Sequence, residues 1–297
     1  DLKKSKVEDD KKKLNKINSK TKVNCYKIRL NKNNFNKIIK RYDYIVDGSD
    51  NFETKFLVND FCKILKNIGT LGQKKIIQSK VLIIGMGGLG CPVAEFLTRA
   101  GVGSIGIVDS DNVDLSNIHR QSLYDNTDLK KPKVISASKK LKKINPKTKI
   151  NIHKVRLNRN NLRKIIKNYD FVVDGSDNFE TKFLINDFCI QYKKFLVTGA
   201  ISKFDGHIFT FNFKNIKSPC LKCFFQEDTI SDDILSCEYE GILGTVAGII
   251  GTIQANEILK QILNIGKNLN GFILIIDLLN LEFRKVKLHK RKKCLCK

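Results

Sequence analysis

Between Lys80 and Ala200, short apolar runs alternate with longer segments in which apolar residues recur every three or four positions. The first pattern suits a strand buried on both faces, the second a helix with one face in a core. Read this way, strands are predicted at Lys80–Gly85 (KVLIIG), Ser104–Asp109 (SIGIVD), Lys149–Leu157, Asp170–Asp177 and Phe195–Ala200. Helices are predicted at Gly88–Gly101, Lys131–Asn145, Arg159–Tyr169 and Asn178–Lys194, with Pro146 stopping the second. Such alternation implies an α/β fold: a mostly parallel sheet with helices on both faces. Beyond it, Gly206–Phe213 and Gly271–Leu288 read as antiparallel C-terminal strands around a helix near Gly244–Leu263.

The pattern also repeats. DGSDNFETKFL occurs at Asp47–Leu57 and again at Asp174–Leu184, 127 positions apart. At that offset 44 of 62 aligned pairs are identical over residues 1–62 and 128–189. This is not a solenoid, which needs several short stacked units. Only the second copy has the strands before it and the C-terminal half after it. The expected division is therefore 1–62 as a partial repeat and 63–297 as the complete domain, the latter with halves at 63–200 and 201–297. The first copy reads as a remnant of tandem duplication or a junction in the gene. The alternative is an inactive half-domain. A copy this similar could also compete with Asp128–Cys189 for one place in the sheet.

Candidate chemistry begins where the first strand ends. Gly85, Gly87, Gly88 and Gly90 sit between a strand and a helix, where glycine permits a tight turn and close backbone approach to phosphate. The helix N-terminus then offers free N–H groups. Asp109 ends the next strand 19 residues after Gly90, well placed to accept from a ribose hydroxyl. Alone, this motif suits NAD. A second cluster argues for a triphosphate with Mg²⁺: Asn117, Arg120 and Gln121 follow the second strand, Lys133 opens a helix, and Asp177 and Asn178 end a strand. Cations there neutralise phosphate oxygens and the carboxylate holds the metal, which hydride transfer does not require.

Nine cysteines, odd in number and unevenly spaced, do not suit a secreted disulfide framework. Cys220-x-x-Cys223 and Cys294-x-Cys296 resemble two knuckles of a structural zinc site, the second closer-spaced than usual. Cys237 lies in a polar loop before the helix at Gly244, a setting for a lowered thiol pKa and a nucleophile. The formal net charge is +25, carried by lysines spread along the chain without the pattern of a nucleic-acid module. No nucleic-acid partner, membrane span or leader is expected, and a cytoplasmic location is.

From about Ile68 to Lys297 the chain resembles the bacterial E1-like adenylating enzymes of the ThiF/MoeB/HesA group. GTLGQKKIIQSKVLIIGMGGLGCPVAEFLTRAGVGSIGIVDSDNVDLSNIHRQSLY carries the resemblance, with DGSDN, PCLKC and GTVAGIIGTIQANEILK. It implies a homodimer with a Rossmann-like sheet that uses ATP and Mg²⁺ to adenylate the C-terminal Gly-Gly tail of a ubiquitin-like sulfur-carrier protein, in thiamine or molybdopterin biosynthesis. By the resemblance, Gly88 faces the phosphates and Asp109 the ribose. Asn117, Arg120 and Lys133 bind phosphate, and Asp177 holds Mg²⁺. Cys220, Cys223, Cys294 and Cys296 ligate zinc, and Cys237 stands where some members join the activated carrier. Two departures are visible. The last knuckle has one residue between its cysteines instead of two. The family's arginine-containing first segment is also replaced, with no arginine between Lys55 and Lys80. A non-catalytic binding protein of this fold, or less favourably an NAD(P)-dependent oxidoreductase, are the alternatives.

Overall fold

Strands rich in Val, Ile and Leu with no polar face must be covered on both sides, and the chain does this with helices. The structure, a computed structural model, describes residues 6–17, 20–31, 34, 38, 41, 42, 49, 69–225, 241–292 and 294. Asp1–Thr70 and Leu71–Lys297 form two compact units.

In the first unit, helix α1 (Lys6–Ile17) carries Glu8 and Asp9 in its first turn, where the helix dipole favours acids. Asn31 and Asn34 each accept the other's backbone N–H, at 3.1 and 2.9 Å, and Asn34 Nδ2 donates to the Arg29 carbonyl at 2.9 Å.

The second unit opens within helix α2 (Gly69–Gln78), which the periodicity alone did not reveal. There follow β1 (Lys80–Ile84), α3 (Gly90–Ala100), β2 (Ser104–Val108), α4 (Lys133–Ile144), β3 (Lys149–His153), α5 (Arg159–Ile166) and β4 (Phe171–Asp174). Then come α6 (Phe179–Gln191), β5 (Phe195–Ser202), β6 (Asp205–Asn212), α7 (Leu221–Phe224), α8 (Gly244–Leu263), β7 (Phe272–Asp277) and β8 (Glu282–Lys287). The eight strands form one sheet in the order β3-β2-β1-β4-β5-β6-β7-β8. The first five run parallel; β6, β7 and β8 join antiparallel. The stretch 271–288 is two strands, because Leu281 turns the chain at φ 56°.

Helices α5 and α6 bury Leu162, Ile165, Ile166, Ile185 and Phe188 on one face, against Leu82, Val172, Leu196 and Phe211. Helix α8 packs on α3 and across β5 and β6. Helix α4 packs beside α3. The strand order reverses between β1 and β4, where open α/β sheets present a crevice at their carboxyl ends.

The repeat is also structural. Helix α4 has the bounds of α1 shifted by 127. Asn158 and Asn161 form the same reciprocal cap as Asn31 and Asn34, at 2.9 and 3.0 Å, with Asn161 Nδ2 on the Arg156 carbonyl at 2.8 Å.

Candidate functional site

A cleft of about 450 Å³ opens at the carboxyl ends of β1, β2 and β4. Ile84, Val108 and Gly175 mark those strand ends in its wall. Its floor is the turn between β1 and α3. Gly85 has φ +84°, and a side chain there would also meet the Gly175 carbonyl oxygen at 2.7 Å. At Gly90 a Cβ would stand 1.8 Å from the Gly85 carbonyl oxygen, so the turn closes only around glycine. Gly87 and Gly88 line the cleft; Gly90 does not, and acts by shaping the turn.

Asp109 is tied to this turn. Its Oδ2 accepts from the Met86 N–H at 2.7 Å and its Oδ1 from the Asp111 N–H at 2.8 Å. Burial holds its carboxyl above the usual carboxylate range, against the opposing pull of Lys133. Cys91, directly behind the turn, is fully buried, and burial pushes its thiol up to about 12. It is therefore a packed neutral thiol, not a nucleophile.

Charged and polar side chains converge on the cleft from the segments after β2 and β4. Asn117, Arg120 and Gln121 come from the turns after β2; Arg120 Nη2 donates to Asn117 Oδ1. Gln121 is buried, with its Oε1 unpartnered. Lys133, the first residue of α4, is buried with its ammonium 3.1 Å from Asp111 Oδ2. Asp177 and Asn178 come from the loop after β4. Asn178 Nδ2 donates to Asp177 Oδ1 at 3.1 Å, while its own Oδ1 caps α6 through the Thr181 N–H at 2.8 Å. Arg120, Lys133 and Asp177 thus share one cleft with the glycine turn.

Beneath Asp177 lies a buried network that sequence reasoning missed. Asp174, fully buried, accepts from Lys182 Nζ at 3.2 Å and from the Thr198 hydroxyl. It also accepts from the Ser176 N–H at 2.9 Å and the Ser176 hydroxyl at 2.6 Å. Lys182 reaches on to the Gly199 carbonyl at 2.7 Å, and Gln254 of α8 donates to the Asp174 carbonyl at 2.9 Å. The loop that carries Asp177 is thereby fixed to β4, α6 and β5. The available signal was Lys182 itself, a lysine among apolar helix positions one turn after DGSDN.

Outside the cleft, the sulfurs of Cys220, Cys223 and Cys294 lie within 4.8 Å of one another. Cys220 Sγ is 3.8 Å from Cys223 Sγ and 3.5 Å from Cys294 Sγ, close to the spacing of thiolates about a tetrahedral zinc. Asn186 of α6 fixes the knuckle by accepting the Leu221 N–H at 2.9 Å. Cys237 and Cys296 lie outside the described residues. Among the described residues no helix is long and apolar enough to cross a membrane.

The ThiF family model matches residues 1–68 and 63–297, so both copies of the repeat fall within it. The chain belongs to the ThiF family. It is 39% identical over 234 residues to a "Sulfur carrier protein adenylyltransferase" of Thermus thermophilus, covering 78% of this chain and 86% of that one. It is 39% identical over 225 residues to a "Probable molybdopterin-synthase adenylyltransferase" of Gracilaria tenuistipitata var. liui, covering 76% and 62%. It is 40% identical over 233 residues to an "Adenylyltransferase and sulfurtransferase MOCS3" of Drosophila willistoni, covering 78% of this chain but only 51% of that relative. The chain thus spans about half the length of this last relative. Among solved structures, E. coli MccB bound to MccA-N7isoASN superposes with a TM-score of 0.72 at 19% identity, over 89% of this chain and 80% of that one, which is a likeness of fold.

Proposed function

We propose that this ThiF-family chain is an adenylyltransferase that activates the C-terminal Gly-Gly carboxylate of a ubiquitin-like sulfur-carrier protein with ATP. The observation that carries the reading is the cleft itself: a turn that needs glycine at Gly85 and Gly90, with Arg120, Lys133 and Asp177 lining the same cavity. The names of its relatives support the same reaction.

The carrier's carboxylate is ionised at neutral pH, so it attacks the α-phosphate without a general base. Acyl adenylate forms and pyrophosphate leaves. The chain's part is alignment and charge. Backbone N–H groups of the Gly85–Gly90 turn and the N-terminus of α3 face the phosphates, and Asp109 faces the ribose. Arg120 is held by Asn117, and Lys133 exchanges Asp111 for a phosphate oxygen. Asp177 is the residue that would hold Mg²⁺, which when bound neutralises charge on the phosphates. A sulfur donor, or Cys237, then displaces AMP. Thiamine or molybdopterin biosynthesis would use the product, and a homodimer is the assembly that the family resemblance implies.

The test is ATP–pyrophosphate exchange with carriers ending in Gly-Gly. Exchange that appears only with carrier supports the reading. Its absence with every carrier favours a non-catalytic binding protein, the reading that the lack of arginine between Lys55 and Lys80 would support.

For the cysteine cluster the fitting ion is zinc, held by Cys220, Cys223 and Cys294 with Cys296 as the candidate fourth ligand. Elemental analysis is expected to find one zinc per chain, and Cys220→Ser to lose it. Because structural zinc contributes folding energy directly, chelation should also lower the melting temperature. A metal-free protein of unchanged stability would refute this site.

A further inference from the structure

The two copies of the repeat differ at 18 of 62 positions, and the differences are not evenly distributed in kind. Where the second copy is buried, most changes preserve an apolar residue: Val23 for Ile150, Phe35 for Leu162, Ile45 for Val172 and Val58 for Ile185. One quartet departs. Glu8, Asp9, Asp10 and Lys11 stand where α4 has Ile135, Ser136, Ala137 and Ser138. In α4, Ser136, Ala137 and Ser138 are all buried, Ala137 completely. The flanking positions are unchanged, and their setting shows the contrast. Val134 and Leu141 of α4 are fully buried, whereas Val7 and Leu14 of α1 are 39% and 49% exposed.

We propose that the Glu8–Lys11 quartet bars the first copy from the place that residues 128–189 hold in the sheet. Without it, little else would. The copy keeps the matching core residues, the Asn31–Asn34 cap, and Lys6 and Asp50 at the positions of Lys133 and Asp177. Connectivity would permit the exchange. β1, β4 and β5 are parallel neighbours with Val81, Phe171 and Phe195 in register, so Lys80 and Phe195 begin at the same sheet edge. A chain leaving α6 can therefore turn into β1 as readily as into β5. Residues 63–68, ahead of α2, can span up to roughly 20 Å when extended, more than the two strand spacings between β1 and β5. The discrimination falls on the quartet. Three charged side chains would fall at buried positions there; even Asp10, paired with Lys13 at 4.0 Å while both are exposed, would lose its water, and desolvating such charges costs more than the shared apolar contacts return.

The test restores the second copy's residues in the full chain, with Glu8→Ile, Asp9→Ser, Asp10→Ala and Lys11→Ser together, and follows amide hydrogen exchange by mass spectrometry. Peptides of 6–17 and 133–144 differ in mass and are read separately. In the unaltered chain, 133–144 exchanges slowly and 6–17 fast. In the variant, both peptides are expected to become bimodal in matched proportion, with 6–17 slowed more than about tenfold in the exchanged molecules. If 6–17 stays fast in every molecule and 133–144 stays uniformly slow, the proposal is overturned. Should the four-fold variant not be recovered in solution, Asp9→Ser, Asp10→Ala and Lys11→Ser together, which clear the three buried positions, are read in the same way, and single-population exchange at both peptides overturns the proposal equally.

Discussion

Asp177→Ala is expected to lower carrier-dependent ATP–pyrophosphate exchange by roughly two to three orders of magnitude, the scale on which one electrostatic contact to a transition state acts. Asp177 is the carboxylate of the loop after β4 that lines the cleft; Asp174, the last residue of β4, is fully occupied by Lys182, Thr198 and Ser176. Asp174 can therefore not take over a metal. Nor is Asp177 structural, because its recorded side-chain bond is to Asn178, whose own capping of α6 does not depend on it. The melting temperature should be unchanged, so the loss would report chemistry. Exchange within a factor of about three of the unaltered chain would contradict the assignment of Asp177, since so small a factor is well below what such a contact contributes.

Lys182→Met should have the opposite profile, with stability falling first. The substitution removes the ammonium from Asp174, whose carboxylate has no route to water. Leaving one member of a buried ion pair unpaired costs about 3–5 kcal/mol. For a unit of this size that lowers the melting temperature by on the order of 10 °C. Thermal unfolding of Lys182→Met at neutral pH checks this. A loss below about 1 kcal/mol would mean that the pair is not a structural anchor for the Asp177 loop. Adding Asp174→Asn to Lys182→Met should recover part of the loss, because the orphaned charge is gone.

Much of this was readable in the sequence, for identifiable reasons. The parallel strands announced themselves because KVLIIG and SIGIVD have no polar face to misplace, and the glycine turn because only glycine closes it at Gly90. Lys133 and Asp177 could be placed beside the cleft, since one opens a helix and the other follows a strand at the sheet's carboxyl edge. What escaped were residues whose meaning depends on a distant partner. Lys182 looks like any lysine of a basic chain until Asp174, Thr198 and Gly199 are seen around it. Asp111 is one of several acids after β2 until Lys133 is found against it. Helix α2 was missed because GTLGQKKIIQ has two glycines and a weak apolar stripe. The repeat was plain as text, but the weight of its Glu8–Lys11 quartet depends on knowing that Ala137 and its neighbours are buried.

The central claim is that a magnesium-bound triphosphate rests on the Gly85–Gly90 turn between Arg120, Lys133 and Asp177. A structure of the chain with Mg²⁺ and a non-hydrolysable ATP analogue tests it most directly. The account predicts phosphates over the glycine turn, the ribose on Asp109, Lys133 moved from Asp111 to a phosphate oxygen, and the metal about 2.1 Å from an Asp177 oxygen. A nucleotide bound elsewhere, or bound in the cleft with Asp177 and Lys133 turned away from it, would contradict the account.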